Sequence, residues 1–356
     1  MPIPSDPSPV IARLTTPAQM VASLPLWLGY VPTESLVVAC CHDPRGQVGL
    51  TLRLDLPRAR DEQDLVEELV DRVVHQAPSR VLVAVYTDEP DCGSLARAEL
   101  VDELCSRLRE EIPALRVTEA ALVRGGRFWS YLCDDPRCCP REGTPVDQAG
   151  DDPAVRLLQA EQVLRGQVVQ PDRAALARSL AGPQLLEAAA ARQRCERAAD
   201  QHADAVDDDR GGWRERWLQR WAVAVDLVSR PPAELDPMEA ALLATSLADV
   251  LLRDSLAAEH RPQRLLPLLE ELVRRTPDPF DAPVCTLYAW MTYCDGGGAA
   301  VTICLERALR TDPGYSLALL LGEVLHGQVA PKKVRRITRE AAAAAFLARR
   351  RARPAG

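Results

Sequence analysis

Three cysteines within seven residues, Cys133, Cys138 and Cys139, come closest to chemistry by type and spacing. Thiolates are soft ligands, and three of them could supply three corners of a tetrahedral zinc site with Zn–S bonds of about 2.3 Å. The fourth corner would have to come from Cys92, Cys41 or His42. Two features work against a metal. The chain has no C-x-x-C, and the consecutive side chains of Cys138 and Cys139 are expected to diverge rather than meet at one ion. The same thiols could instead do redox chemistry, or remain reduced in a structural loop. Cys40 and Cys41 sit in an apolar run, and Cys285, Cys294 and Cys304 lie nine and ten residues apart in helical sequence. These five read as core, where free Cys behaves as a small hydrophobe.

A second set is polar. Asp88 follows the apolar run Val81–Tyr86, and ligand sites of open α/β sheets lie beyond the carboxyl ends of parallel strands. Arg53 and Asp55 share the polar face of an alternating strand, Arg124 and Arg127 flank a Gly-Gly turn, and Glu34-Ser35 precedes a strand. Asp88, Arg53, Asp55 and Arg127 are therefore the catalytic candidates. Against this, Arg53 and Asp55 can simply pair on a solvated face, and Asp88 can cap a turn with Glu89 and Pro90. Trp213, Trp217 and Trp221, at i, i+4 and i+8, form one stripe of one helix; they read as packing, or as a docking stripe, since Trp is enriched at binding hot spots.

Several chemistries are excluded or weakened. Lys332 and Lys333 are the only lysines, and neither follows a Gly-rich loop, which argues against Schiff-base and P-loop chemistry. There is no nucleophile elbow, H-E-x-x-H, EF-hand loop or dinucleotide fingerprint. The histidines, His42, His75, His202, His260 and His326, have no spacing partners. No cofactor is expected; zinc at the cysteine loop is the one exception the sequence leaves open.

The elements that must position these residues follow from periodicity. The chain has 356 residues, 47% hydrophobic but only 4% aromatic, so Ala, Leu and Val must build most of the core. Residues 1–13 are Pro-rich and expected to be disordered. Thr16-Pro17-Ala18-Gln19 is an N-cap signature for a helix to about Leu24, followed by an apolar loop broken at Pro25 and Gly29. Ser35–Cys41 reads as a strand, and Val48–Leu56 as its half-buried hairpin partner, with Leu50, Leu52, Leu54 and Leu56 on one face. An amphipathic helix over 61–76, a strand over 81–86, a helix over 95–111 and strands over 116–123 and 128–133 complete a ββαβαββ order. This is an α/β domain over 14–150, a mixed sheet covered by helices. Strand signals then stop. A helical connector over 151–211 leads to an all-α, helical-hairpin or repeat-like domain over 212–330, with one helix expected across 237–257, and a basic tail over 331–356.

The tail carries nine basic residues and one acid, whereas the net charge of the whole chain is −8. An acidic body argues against nucleic-acid binding except through that tail. There is no apolar run of spanning length and no secretory signal at the N-terminus. The expectation is a cytoplasmic protein with reduced thiols.

Longer blocks carry a resemblance. Leu24-Pro-Leu-Trp-Leu-Gly-Tyr-Val-Pro-Thr-Glu-Ser-Leu-Val-Val38, Leu52-Arg-Leu-Asp-Leu-Pro57 and Arg127-Phe-Trp-Ser-Tyr-Leu-Cys-Asp-Asp-Pro-Arg-Cys-Cys-Pro-Arg-Glu-Gly-Thr-Pro145 stand out in the first half. Ala289-Trp290, Gly296–Ala300, Ala308–Tyr315 and Leu317–Leu321 stand out in the second. Together they resemble the actinobacterial family catalogued as domain of unknown function 4192, over roughly residues 14–330. Gly296-Gly-Gly-Ala departs from the more polar turn expected there. The resemblance implies a bacterial cytosolic protein from a GC-rich genome, in keeping with the Arg bias, and implies no activity or catalytic residue. The function expected is binding: a non-catalytic adaptor with a protein partner. The alternatives are an enzyme with its site near Asp88, Arg53, Asp55 and Arg127, and a thiol or zinc-dependent sensor built on Cys133, Cys138 and Cys139.

Overall fold

A computed structural model describes residues 12–43, 46–57, 61–164, 167–208, 210–229, 235–259 and 262–352. The Pro-rich segment over 1–11 lies outside them. The chain divides into two compact units, residues 1–173 and 174–356.

The first unit opens with α1 (Pro17–Leu28), whose start is fixed by a capping box: the Thr16 hydroxyl accepts from the Gln19 amide, and the Gln19 side chain accepts from the Thr16 amide. The helix does not stop near Leu24 as expected, but runs through Pro25. Proline forfeits one backbone bond, yet Val21, Leu24 and Leu28 are buried, and that burial holds the turn. Gly29, at φ 82°, ends the helix by donating to the Pro25 carbonyl at 2.8 Å.

The elements β1 (Ser35–His42), β2 (Gln47–Asp55), α2 (Glu62–Gln76), β3 (Arg80–Tyr86), α3 (Ala98–Glu111), β4 (Arg116–Arg124), β5 (Arg127–Ser130) and β6 (Thr144–Pro145) then form a six-stranded mixed sheet in the order β2-β1-β3-β4-β5-β6. Only β3 and β4 are parallel; β1 runs against both β2 and β3. Leu36, Val38, Val83, Val85 and Leu122 pack against Leu65, Leu69 and Val73 of α2 and Leu100, Leu104 and Leu108 of α3. Leu52 is buried in that cluster, with Leu50, Leu54 and Leu56 packed against it, so the leucine alternation of β2 does face the core. On the opposite face, Val21 of α1 meets Ala121 and Phe128. The turn from β4 to β5 is the two-residue Gly125-Gly126, at φ 56° and 72°, a conformation that nearly demands glycine. The strand expected over 128–133 stops at Ser130, because the Ser130 hydroxyl captures the Leu132 amide at 3.1 Å and turns the chain out of the ladder. Helices α4 (Val146–Gly150) and α5 (Pro153–Leu164) end this unit.

The second unit is all helix among its described residues: α6 (Arg173–Ser179), whose first residue closes the first unit, then α7 (Leu185–Asp208), α8 (Arg210–Val228), α9 (Pro237–Ser246), α10 (Val250–Ala257), α11 (Pro262–Arg275), α12 (Asp281–Asp295), α13 (Ala299–Thr311), α14 (Ser316–His326) and α15 (Pro331–Ala352). The single helix expected over 237–257 is two. Asp249 breaks it by accepting the Leu252 amide at 2.8 Å as the N-cap of α10, and Arg214 of α8 grips the same carboxylate at 2.7 and 2.8 Å. Helix α12 is the axis: Val284 to Cys294 are buried without interruption, the mark of a helix surrounded on all sides. Beside it, Arg307 donates to the Asp281 carboxylate at 2.8 Å and to the carbonyls of Leu180, Val273 and Thr276 at 2.9, 2.9 and 2.7 Å. One guanidinium thereby ties α11, α12, α13 and the segment after α6.

Candidate functional site

Because β1 runs against its neighbours, one edge of the sheet collects the carboxyl ends of β2, β3 and β4 with the amino ends of β1 and β5. Ser35 stands opposite both Asp55 and Tyr86, and Arg124 opposite Arg127. All four catalytic candidates therefore lie along this edge, as do Glu34 and Arg124. They do not converge on a common point. Arg53 donates to the Ser35 hydroxyl at 2.7 Å and pairs with Asp55 at 2.6 Å. Glu34, at φ 41°, accepts from the Thr87 hydroxyl at 2.9 Å and the Asp88 amide at 3.0 Å; the Asp88 residue itself is exposed. Arg127 turns away to the carbonyls of Glu142 and Gly143 at 2.6 and 2.9 Å.

Further ion pairs on this edge involve partners the sequence did not single out: Arg97 with Glu62, and Asp91 as the partner of Arg124. Arg97, only 13% exposed at its side chain and held at φ 61°, grips both oxygens of Glu89 at 2.6 Å and also reaches Glu62. The Arg97 guanidinium holds the Glu89 carboxyl below its ordinary range. Arg124 donates to the Glu89 carbonyl at 2.5 Å, pairs with Asp91 at 3.1 Å and lies over the Trp129 ring at 5.2 Å. These partners stand up to 35 residues apart, and no periodicity connects them. A cleft of about 390 Å³, lined by Asp43, Ser79, Arg80, Ala114 and Arg116, lies at the opposite ends of β3 and β4. A groove of about 310 Å³ between α2 and α3 is lined by Glu62, Gln63, Val66, Glu99, Leu100 and Glu103.

The thiols behave differently. The Sγ atoms of Cys133, Cys138 and Cys139 all lie within 4.8 Å of one another, and those of Cys133 and Cys138 are 3.0 Å apart. A turn at Asp135 makes this possible. Its carbonyl accepts both the Cys138 amide at 3.1 Å and the Cys139 amide at 2.7 Å, and its carboxylate holds Arg137 through the backbone amide at 2.9 Å and the guanidinium at 2.8 Å. In such a helix-like turn consecutive side chains are about 100° apart, not opposed as in a strand, so the expected divergence of Cys138 and Cys139 does not occur. The thiols of Cys138 and Cys139 lower the Cys133 pKa by hydrogen bonding to it, whereas burial and the thiols of Cys133 and Cys138 push Cys139 up to about 12. None of Cys92, Cys41 and His42 joins the group: Cys41 and His42 end β1 beside Ser79 and Arg80, at the far edge of the sheet.

The loop is braced at both ends. The Tyr131 hydroxyl donates to the Ala96 carbonyl at 2.6 Å, and Trp129 Nε1 donates to the Arg141 carbonyl at 3.0 Å. Gly143 lies flat on the Trp129 ring, where a Cβ would stand 2.5 Å from Cε2.

Trp213, Trp217 and Trp221 are all buried in the core of the second unit. His202 sits edge-on between Trp213 and Trp217, at centroid distances of 5.4 and 4.6 Å, and Trp221 Nε1 donates to the Ser246 hydroxyl at 3.1 Å. Burial lowers the pKa of His202. The indoles are packing, and they present no stripe at the surface.

Architecture and loop define a two-unit protein, a mixed α/β sheet domain bearing a three-thiol loop, followed by a helical domain. The chain belongs to the family described as domain of unknown function (DUF4192), whose model matches residues 17–332. No curated protein and no solved structure matches it. No helix among the described residues is long and apolar enough to cross a membrane.

Proposed function

We propose that the protein acts by binding a protein partner, as an adaptor in the bacterial cytosol, rather than by turning over a substrate. One observation carries this reading: the arginines at the carboxyl edge of the sheet are taken up by carboxylates and backbone carbonyls, with Arg53 on Asp55, Arg97 on Glu89 and Glu62, Arg124 on Asp91, and Arg127 on the carbonyls of Glu142 and Gly143. A catalytic group must be free to touch substrate, and hydrogen bonds already made within the chain oppose that. The layer formed by α2 and α3 supports the same reading. It carries ten carboxylates against three arginines, and its groove has Val66 and Leu100 among acidic side chains. That chemistry suits a basic segment with an apolar residue to bury, and charge of one sign speeds encounter with the other. The free cysteines agree with a reducing compartment.

The test is affinity capture from the native host with and without crosslinking, comparing the natural chain with a Glu99→Lys/Glu103→Lys variant. The expected result is a basic partner whose recovery falls about tenfold or more in the variant, equivalent to about 1.4 kcal/mol of binding. No partner above background, or equal recovery by both chains, refutes the reading.

A further inference from the structure

We infer that Cys133, Cys138 and Cys139 form a zinc site, three thiolates on one Zn²⁺ with the fourth position open to solvent or to an incoming ligand. This stands apart from the binding reading and rests on different residues. Three sulfurs on tetrahedral zinc at about 2.3 Å would lie about 3.8 Å apart. The three here, all within 4.8 Å and as close as 3.0 Å, surround a point that an ion reaches by small rotations of the side chains.

Three thiols gathered within one small loop offer a soft cation three ligands at once. The nearest guanidinium along the chain, that of Arg137, is held by Asp135 at 2.8 and 3.1 Å. A disulfide would use two of the three sulfurs and leave the convergence of the third unexplained. The geometry is also prepared in advance. The Asp135 turn, the Tyr131 and Trp129 anchors and Gly143 against the indole fix the loop without metal, so an ion would meet ligands already gathered. Cys138 is exposed and Cys133 and Cys139 are half-buried. The fourth position therefore opens outward, the arrangement of zinc sites that exchange a ligand rather than of closed structural ones. Binding requires the sulfurs as thiolates, so protons leave to solvent as the ion enters.

The test uses the full untagged chain, purified under reducing conditions without chelator. Elemental analysis is expected to find about one zinc per chain. Cobalt(II) added to the zinc-stripped protein is expected to give sulfur-to-cobalt charge-transfer absorption. Both signals should vanish in Cys138→Ser and Cys133→Ser and persist in Cys92→Ser. Cys138 is exposed, so its serine variant should fold; should it fail to, the cobalt spectrum of the natural chain decides alone. The inference is overturned by absence of the charge-transfer band, by zinc retained in Cys138→Ser, by copper in place of zinc, or by a Cys133–Cys138 disulfide as the only product of the loop under reducing purification.

Discussion

Gly143→Ala tests whether the thiol loop is braced as described. Gly143 has φ 76°, in the left-handed region, where a Cβ costs about 1–2 kcal/mol. The new methyl would also stand 2.5 Å from Cε2, 2.7 Å from Cζ2 and 3.0 Å from Cδ2 of Trp129, so the indole must move. Moving it gives up the bond from Trp129 Nε1 to the Arg141 carbonyl, worth about 1 kcal/mol, and the Arg124 contact over the ring, worth about 0.5–1 kcal/mol. The expected loss is about 2–4 kcal/mol, read by urea denaturation of the full chain followed by circular dichroism and tryptophan fluorescence. Trp129→Ala supplies the control, because alanine removes the ring that the methyl strikes. In that background Gly143→Ala should cost only the backbone share of about 1–2 kcal/mol. A loss below about 0.5 kcal/mol, or an equal loss in both backgrounds, would show that the loop is not held against the indole.

Arg307→Met should destabilise the second unit by about 3–5 kcal/mol, the cost of removing one partner of a buried pair, because Asp281 is 4% exposed at its side chain and three carbonyls lose their donor. A denaturation midpoint consistent with less than about 1 kcal/mol refutes that burial. Gly182→Ala would place a Cβ 2.5 Å from Arg307 Nη2; its penalty should shrink once Arg307 is gone, and additive losses would argue against the contact. Glu119 is buried on β4, and burial raises its pKa despite hydrogen bonds from the Ser130 hydroxyl and the Ala120 amide. A carboxyl raised in the folded state contributes stability below its unfolded value of about 4.3 and loses it as pH climbs through the folded value. Glu119→Gln should accordingly melt higher than the natural chain at pH 7 and equal to it near pH 4; a gap independent of pH sinks the argument. Arg97→Ala should cost about 1–2 kcal/mol, reduced by the exposure of Glu89, and no loss would mean that the edge network does not hold.

What the sequence made legible is what rests on local periodicity. The leucines of β2 alternate because one face of that strand packs on α2, and the Thr16 box starts α1 through two short-range bonds. The chain order implied a mixed sheet but not its strand order; the antiparallel placement of β1 between β2 and β3 is what brings Arg53, Asp55, Asp88 and Arg127 to one edge. Illegible features depend on competition or distance. Pro25 is a breaker in isolation, but burial of Leu24 and Leu28 outweighs one lost bond. Asp249 splits a helical stretch because its side chain can cap and Arg214, 35 residues earlier, fixes it there. Cys138 and Cys139 were expected to diverge as consecutive side chains of a loop; the Asp135 carbonyl, accepting two consecutive amides, makes that loop a helix-like turn.

The edge and the loop also differ in free-energy terms. At the edge each arginine is already bonded to a carboxylate or, for Arg127, to backbone carbonyls, so a ligand arriving there would have to displace bonds already made, and its affinity would be only the difference. In the loop the like-natured sulfurs face one another, and their mutual contact is weak because thiols are poor donors and acceptors. A thiophilic ion entering there displaces little and gains three strong bonds. The α2 and α3 layer lies between these cases. Most of its carboxylates are exposed, and they outnumber its arginines, so a basic segment would relieve repulsion as well as add attraction, and that interaction should weaken steeply with salt. Metal content that does not depend on ionic strength, beside partner recovery that does, would separate the two functions within the one α/β unit.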